Sequence, residues 1–160
     1  MIERRRKRWK IMAYDKVQVD VIKEKVIKPV VSVDSYGTLY INRTLMEQAQ
    51  FVSMAGNVIA NSVYVFYDKE RDKIKLMGCE IREKDGVPFS WKYYDGRPND
   101  IKAGIIHLQG FLLRNNYGIP DKGTPMDYVI ENYQVINISL RKLKKNLEVN
   151  QGNYEKVVGL

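Results

Sequence analysis

The residue types that enzymes use most often as nucleophiles and general bases are scarce in this chain of 160 residues, which contains one cysteine and one histidine. The single Cys79 excludes an intramolecular disulfide and a CxxC zinc site, and the single His107 excludes a metal site built on paired histidines. His107 stands between Ile106 and Leu108, so we expect a buried or partly buried structural imidazole. Cys79 follows a predicted strand, so we expect a small core or edge residue.

Carboxylates are the remaining route to catalysis. Six of them between residues 68 and 85 could gather around Mg²⁺: Asp68, Glu70, Asp72, Glu80, Glu83 and Asp85. The first three, however, are typical of a solvated hairpin turn. The GTP sequence at 123–125 lacks the Lys and Ser/Thr spacing of a phosphate-binding loop. The sequence therefore predicts a protein that is not an enzyme and that uses neither a cofactor nor a metal.

Positive charge is concentrated in two short segments. The chain has 27 Lys and Arg against 19 Asp and Glu, a net charge of +8. The first ten residues, MIERRRKRWK, carry +5 and RKLKK at 141–145 carries +4, which leaves −1 for the rest. Blocks of like charge repel themselves until a polyanion neutralises them, and Trp9 could stack on an unpaired base or enter a groove. We predict nucleic-acid contacts at Arg4, Arg5, Arg6, Lys7, Arg8, Trp9, Lys10, Arg141, Lys142, Lys144 and Lys145.

A third candidate group lies in PFSWKYYDGR, where aromatic residues alternate with bases. Such a mixture suits the stacking of unpaired bases. Because Phe89, Trp91 and Tyr93 alternate, we expect them to form one buried face of a strand. Exposed contacts to nucleic acid are then predicted at Lys92, Tyr94 and Arg97.

The elements that position these groups follow one order. Alternating residues at 17–21 indicate a strand, and VVSVD and TLYIN indicate a hairpin around Gly37. A helix of about three turns is expected next, with Asn42 as its N-cap and an end near residues 54–57. SVYVFYD and DKIKLMG then indicate a second hairpin.

The second part of the chain repeats the order of the first. PFSWKYY predicts a strand, Asp95 and Gly96 a turn, and DIKAGIIHLQGFLLRNNYG a strand followed by a helix that ends at Gly118. A closing hairpin is expected around Asn132 and Tyr133. The repeat is one of pattern rather than of residue identity.

The segment VVSVDSYGTLYINRTLMEQA, followed by SVYVFYDKERDKIKLMG, resembles the AbrB/MazE-type swapped-hairpin DNA-binding domain. Gly37 matches the turn glycine of that family, Ile41 its strand-end isoleucine and Leu45 its helix leucine. The resemblance implies DNA binding and adds Arg43 to the candidate contacts, although the family usually has proline at the position of Asn42. If the second half is a degenerate copy, one chain would form the paired barrel that such proteins make by dimerisation.

The predicted fold class is therefore α+β, mostly β, with two strand-turn-strand-helix-hairpin halves at about 30–81 and 87–140 that form one pseudo-symmetric, barrel-like core. These halves make a single globular domain at 16–145, with a flexible basic arm at 1–15 and a tail at 146–160. A Whirly-like or positive-cofactor-like single-strand DNA-binding fold is the alternative architecture.

The predicted function is that of a DNA-binding transcriptional regulator. The alternatives are a single-stranded DNA- or RNA-binding protein that stacks bases, and a viral or nucleoid structural protein that neutralises packaged genome. DNA is favoured over RNA as the partner, and further copies of the chain, in a homo-oligomer, are the other candidate partner. The chain has no apolar run long enough to span a membrane, so we expect a location in the cytoplasm, the virion or the nucleoid.

Overall fold

The computed structural model describes residues 27–80 and 83–144. The basic arm, the strand predicted at 17–21 and the tail at 146–160 lie outside the described residues. Within them, no helix combines the length and the apolar character that crossing a membrane requires.

The first half begins with the predicted hairpin of β1 (Val31–Val33) and β2 (Thr38–Asn42). Helix α1 (Arg43–Gln48) follows directly, and the side chain of Asn42 accepts a hydrogen bond from Leu45 N at 3.1 Å, which confirms the predicted N-cap. The helix is shorter than predicted, because Gln50 adopts a φ of 64° and Phe51 N turns back to bond Met46 O at 2.9 Å. This reversal places Phe51 in the core.

The next strands are β3 (Ser62–Asp68) and β4 (Lys73–Cys79), which form the second predicted hairpin. The short strand β5 (Val87–Pro88) pairs with β3. Arg71 N donates to Asp68 Oδ1 at 3.2 Å in the turn between β3 and β4. Asp68 and Glu70 are exposed there, as predicted, whereas the side chain of Asp72 is only 16 % exposed.

The second half opens with the hairpin of β6 (Ser90–Tyr94) and β7 (Arg97–His107), followed by α2 (Gln109–Arg114). Helix α2 ends before the predicted Gly118, because Asn116 adopts a φ of 61° and Tyr117 N bonds Leu112 O at 2.8 Å. Both helices therefore end at a non-glycine residue in the left-handed region. The chain closes with β8 (Thr124–Pro125) and the predicted hairpin of β9 (Tyr128–Asn132) and β10 (Val135–Ser139).

The strands form two antiparallel sheets of five strands each. The first sheet has the order β6-β7-β2-β1-β8 and the second sheet the order β5-β3-β4-β10-β9. The mostly β prediction is confirmed, but the described strands form two open sheets and no closed barrel. Both halves contribute to each sheet, because β2 pairs with β7 and β4 pairs with β10.

One hydrophobic core contains buried residues from both sheets and from both helices. Leu39 pairs with Ile106 at the join of β2 and β7, Ile74 pairs with Ile138 at the join of β4 and β10, and all four side chains are buried. Leu45 of α1 is fully buried in the same cluster. Buried residues from both halves therefore belong to one cluster.

The alternation of residues in β6 and β7 holds only in part. Phe89 is buried and Trp91 packs against the core, as predicted, but Tyr93 is 43 % exposed. The register of β6 against β7 shifts on both sides of Tyr93, and these bulges break the period of two. His107 is exposed, contrary to expectation, because its neighbours Ile106 and Leu108 point into the core and a strand residue between them faces outward.

A partly buried hydrogen-bonded group joins the segment after α2 to the turn before β4. The hydroxyl of Tyr117 donates to Asp72 Oδ1 at 2.7 Å and lies 2.9 Å from the hydroxyl of Tyr67. The hydrogen bond from Tyr117, followed by the charge of Lys144, lowers the pKa of Asp72. Burial and the bond to Asp72 raise the pKa of Tyr117. This group is a structural link between the two halves.

Candidate nucleic-acid interface

The β6–β7 hairpin brings together the three residues predicted in its sequence. Lys92 is exposed, Tyr94 is half-buried, and the side chain of Arg97 is 72 % exposed beside the turn. Lys102 joins them, with its Nζ 5.9 Å from the centre of the Tyr94 ring, a cation–π distance. These four residues are called the hairpin cluster below. Lys102 was not singled out in the sequence, because its place beside Tyr94 depends on the bulges in the hairpin.

Tyr40 of β2 adds a second aromatic side chain near the hairpin cluster. Burial, followed by the proximity of Tyr94, raises the pKa of Tyr40. Both rings are half-buried. Tyr40 stands in TLYIN at an outward position of a strand that sequence reasoning placed correctly, so the alternation of β2 was the signal that could have identified it.

The C-terminal cluster, Arg141, Lys142, Lys144 and Lys145, follows β10, and Lys145 lies outside the described residues. Lys142 Nζ donates to Pro125 O at 2.9 Å and lies 3.7 Å from Asp127 Oδ1. Lys144 Nζ lies 3.5 Å from Asp72 Oδ2. The side chains of Lys142 and Lys144 remain 47 % and 59 % exposed. Part of their charge is thus balanced inside the protein, while their ammonium groups still reach solvent.

Arg43 occupies a different environment from the one the resemblance implied. Its Nε lies 2.8 Å from Glu47 Oε1, its NH1 group binds Asp100, and only 21 % of its side chain is exposed. The hydrogen bond to Glu47 is the largest cause that raises the pKa of Arg43. The guanidinium therefore ties α1 to β7, and its donors are directed at carboxylates rather than at solvent.

The hairpin cluster and the C-terminal cluster do not lie side by side. The hairpin cluster is at the β6 edge of the first sheet, and Lys142 is bound to Pro125 in β8 at the opposite edge. Four strand spacings separate these edges, which corresponds to about 19 Å. The arm residues from Arg4 to Lys10 lie outside the described residues, so their distance from either cluster is not defined.

The described residues contain no group of three or more His, Cys, Asp or Glu side chains placed to hold a metal ion. Cys79 is half-buried, and burial raises the pKa of its thiol. A thiol of raised pKa is a weak nucleophile at neutral pH.

Comparisons with models of protein families, with curated proteins and with solved structures found no match to this chain.

Proposed function

We propose that this protein binds nucleic acid, with DNA as its first target, and that it acts as a regulator rather than as an enzyme. The observation that carries the proposal is the distribution of charge. The described residues are nearly neutral, with 15 Lys and Arg against 13 Asp and Glu, so most of the net charge of +8 belongs to the remaining segments, chiefly the arm. Cations concentrated at chain ends suit phosphate contacts, which position a protein on nucleic acid without reading its sequence.

The topology supports the resemblance to swapped-hairpin DNA-binding domains. Each half has the order hairpin, helix, hairpin, with the first hairpin in the first sheet and the last hairpin in the second sheet. The second strand of each hairpin pairs with its counterpart, β2 with β7 and β4 with β10. We infer an approximate two-fold relation between the halves, although the described strands form two open sheets rather than the paired barrel of that family.

The test is a fluorescence-anisotropy titration with matched single- and double-stranded DNA at two ionic strengths. The full chain is expected to bind the single-stranded and the double-stranded DNA, each more tightly at the lower ionic strength than at the higher one. Deleting Met1 to Lys10 should weaken binding to a similar extent for all DNA sequences. It should also reduce the magnitude of the slope of log affinity against log salt concentration by up to about 4 to 5. A full chain that binds neither DNA nor RNA at low salt would overturn the proposal.

Single substitutions test the described part of the interface. Arg141→Gln is expected to reduce the salt slope by about 1, because it removes one exposed cation of the C-terminal cluster. Lys84→Gln is the matched control. Lys84 is also exposed, but it follows the C-terminal end of β4, whereas Arg141 follows the end of β10 that pairs with the N-terminal end of β4. Equal slopes for the two variants would remove the C-terminal cluster from the interface.

A further inference from the structure

The outer face of the first sheet is the side turned away from the core. One row of residues crosses all five strands in register: Ser90, Ile105, Tyr40, Ser32 and Pro125. The row starts at the strand that carries Lys92 and Tyr94 and ends at Pro125, whose carbonyl holds Lys142. The row therefore runs from the strand that carries Lys92 and Tyr94 to the edge strand that Lys142 contacts.

The charge of the first sheet suits a polyanion. Its five strands contain Lys92, Arg97 and Lys102 and a single carboxylate, Asp100. That carboxylate binds Arg43 and lies 3.5 Å from Arg97, so its charge is already compensated. The strands of the second sheet, in contrast, contain two cations and two carboxylates, namely Lys73, Lys75, Asp68 and Glu131. Of the two sheets, the first is the one with excess positive charge.

The middle of the same face is apolar and aromatic. Tyr40, Tyr94 and Ile105 are half-buried there, beside Ala103. Ala103 pairs with Asn42 and Lys92 at outward positions, yet it is fully buried and is not part of the core cluster. The face around Ala103 therefore combines the half-buried side chains of Tyr40, Tyr94 and Ile105 with two lysines, Lys92 and Lys102.

We propose that this face binds a single strand of nucleic acid, with unpaired bases against Tyr94, Tyr40 and Ile105 and phosphates beside Lys92 and Lys102. The proposal rests on the proposed function and specifies the ligand as unpaired nucleic acid. Base–aromatic stacking and a flanking row of cations are the two contributions that bind single strands without sequence preference.

The chemistry of the face favours an unpaired strand over a duplex or a second copy of the chain. A duplex presents phosphates on its outside and keeps the faces of its bases stacked, so it offers little that would pack against Tyr40 and Ile105. A two-fold interface with a second copy would bring Lys92 and Lys102 of each chain towards the same excess of positive charge. Unpaired bases and their phosphates match both parts of the face.

The experiment uses the full chain with a labelled twelve-nucleotide oligothymidylate and a duplex of the same length. Tyr94→Ala is expected to weaken single-strand binding by about 5- to 150-fold, the range for removing one stacked base contact. Lys92→Gln with Lys102→Gln should lower the single-strand salt slope by about 1.4. Tyr133→Ala is the matched aromatic control, because Tyr133 is 56 % exposed on the β9–β10 turn of the second sheet.

The outcomes separate this proposal from the proposed function. Full chain that binds the oligothymidylate, with losses only in the Tyr94 and lysine variants, supports the assignment. Binding that all variants retain, or binding to duplex alone, overturns the face while leaving nucleic-acid binding intact. No binding to either oligonucleotide overturns both. Thermal unfolding of each variant checks folding. If Tyr94→Ala unfolds, the salt slope of the Lys92→Gln and Lys102→Gln double variant decides the matter, and an unchanged slope overturns the face.

Discussion

At Gly37 an added methyl group would meet both an unfavourable backbone angle and a close backbone contact. It has a φ of +73° in the β1–β2 turn, and a Cβ built there would lie 2.8 Å from Gln109 Cα at the start of α2. A hydrogen bond from Leu108 N to Gly37 O, at 3.0 Å, also holds the β1–β2 turn against the start of α2. The obstructing atom belongs to the backbone of a helix, so it cannot rotate away as a flexible side chain would.

The expected loss for Gly37→Ala has two parts. A non-glycine residue at positive φ costs about 1–2 kcal/mol, and forcing extra volume into a close contact costs about a further 1–3 kcal/mol. Gly96→Ala isolates the first part, because Gly96 has a φ of +72° and no heavy atom within 4 Å of its built Cβ. Both substitutions change the same residue type at almost the same backbone angle.

Urea unfolding of the two variants and the parent chain measures the difference. We expect Gly96→Ala to lose about 1–2 kcal/mol and Gly37→Ala to lose about 2–5 kcal/mol, with unchanged slopes in urea. In a domain of this size each kcal/mol corresponds to about 2–4 °C in Tm. Equal losses for the two variants would refute the close approach of the β1–β2 turn to α2.

Further substitutions test the core and the hydrogen bonds of Tyr117 and Asp72. Leu45→Ala should cost about 2–5 kcal/mol of unfolding free energy, because Leu45 is fully buried between the sheets and the helices, and a loss near zero in a urea titration would contradict that placement. Tyr117→Phe should cost about 1.5–3 kcal/mol, because it removes a hydrogen bond to a carboxylate; a stability equal to that of the parent chain would show that the bond contributes nothing. The pKa of Asp72 is lowered in the folded protein by the Tyr117 hydroxyl and by Lys144, so its stabilising contribution is complete above the pKa of the unfolded chain and is lost as the pH falls through the lower folded value. Asp72→Asn should therefore flatten the acid side of a plot of unfolding free energy against pH, and an unchanged acid side would argue against this linkage.

The predictions from sequence succeeded where local patterning decides the structure. Alternating residues located both hairpins of the first half, and the side-chain oxygen of Asn42 identified the start of α1. Both helices end earlier than predicted. The prediction assumed that a helix ends at a glycine, but here Gln50 and Asn116 adopt the left-handed conformation that glycine usually provides. In both turns the next side chain, Phe51 or Tyr117, is buried.

Long-range pairing could not be predicted from sequence. The alternation in β2 and β7 shows that each strand has a buried face, but not that Leu39 lies opposite Ile106. The same limit applies to the candidate site. The ion pairs of Arg43 with Glu47 and Asp100 depend on the meeting of α1 and β7, and the position of Lys102 on the Tyr94 ring depends on a bulge. Composition identified the residue types, while tertiary structure decided which cations face solvent.

The sharing of each sheet between the two halves has a consequence for synthesis on the ribosome. When the first half has emerged, β2 and β4 still lack the partners that β7 and β10 later provide. Until the second half is synthesised, these two strand edges have unpaired backbone amides and carbonyls. A nascent copy nearby could offer its own second half to these edges, so crowded translation on one messenger would favour domain-swapped dimers, and slow synthesis of the second half would increase their share.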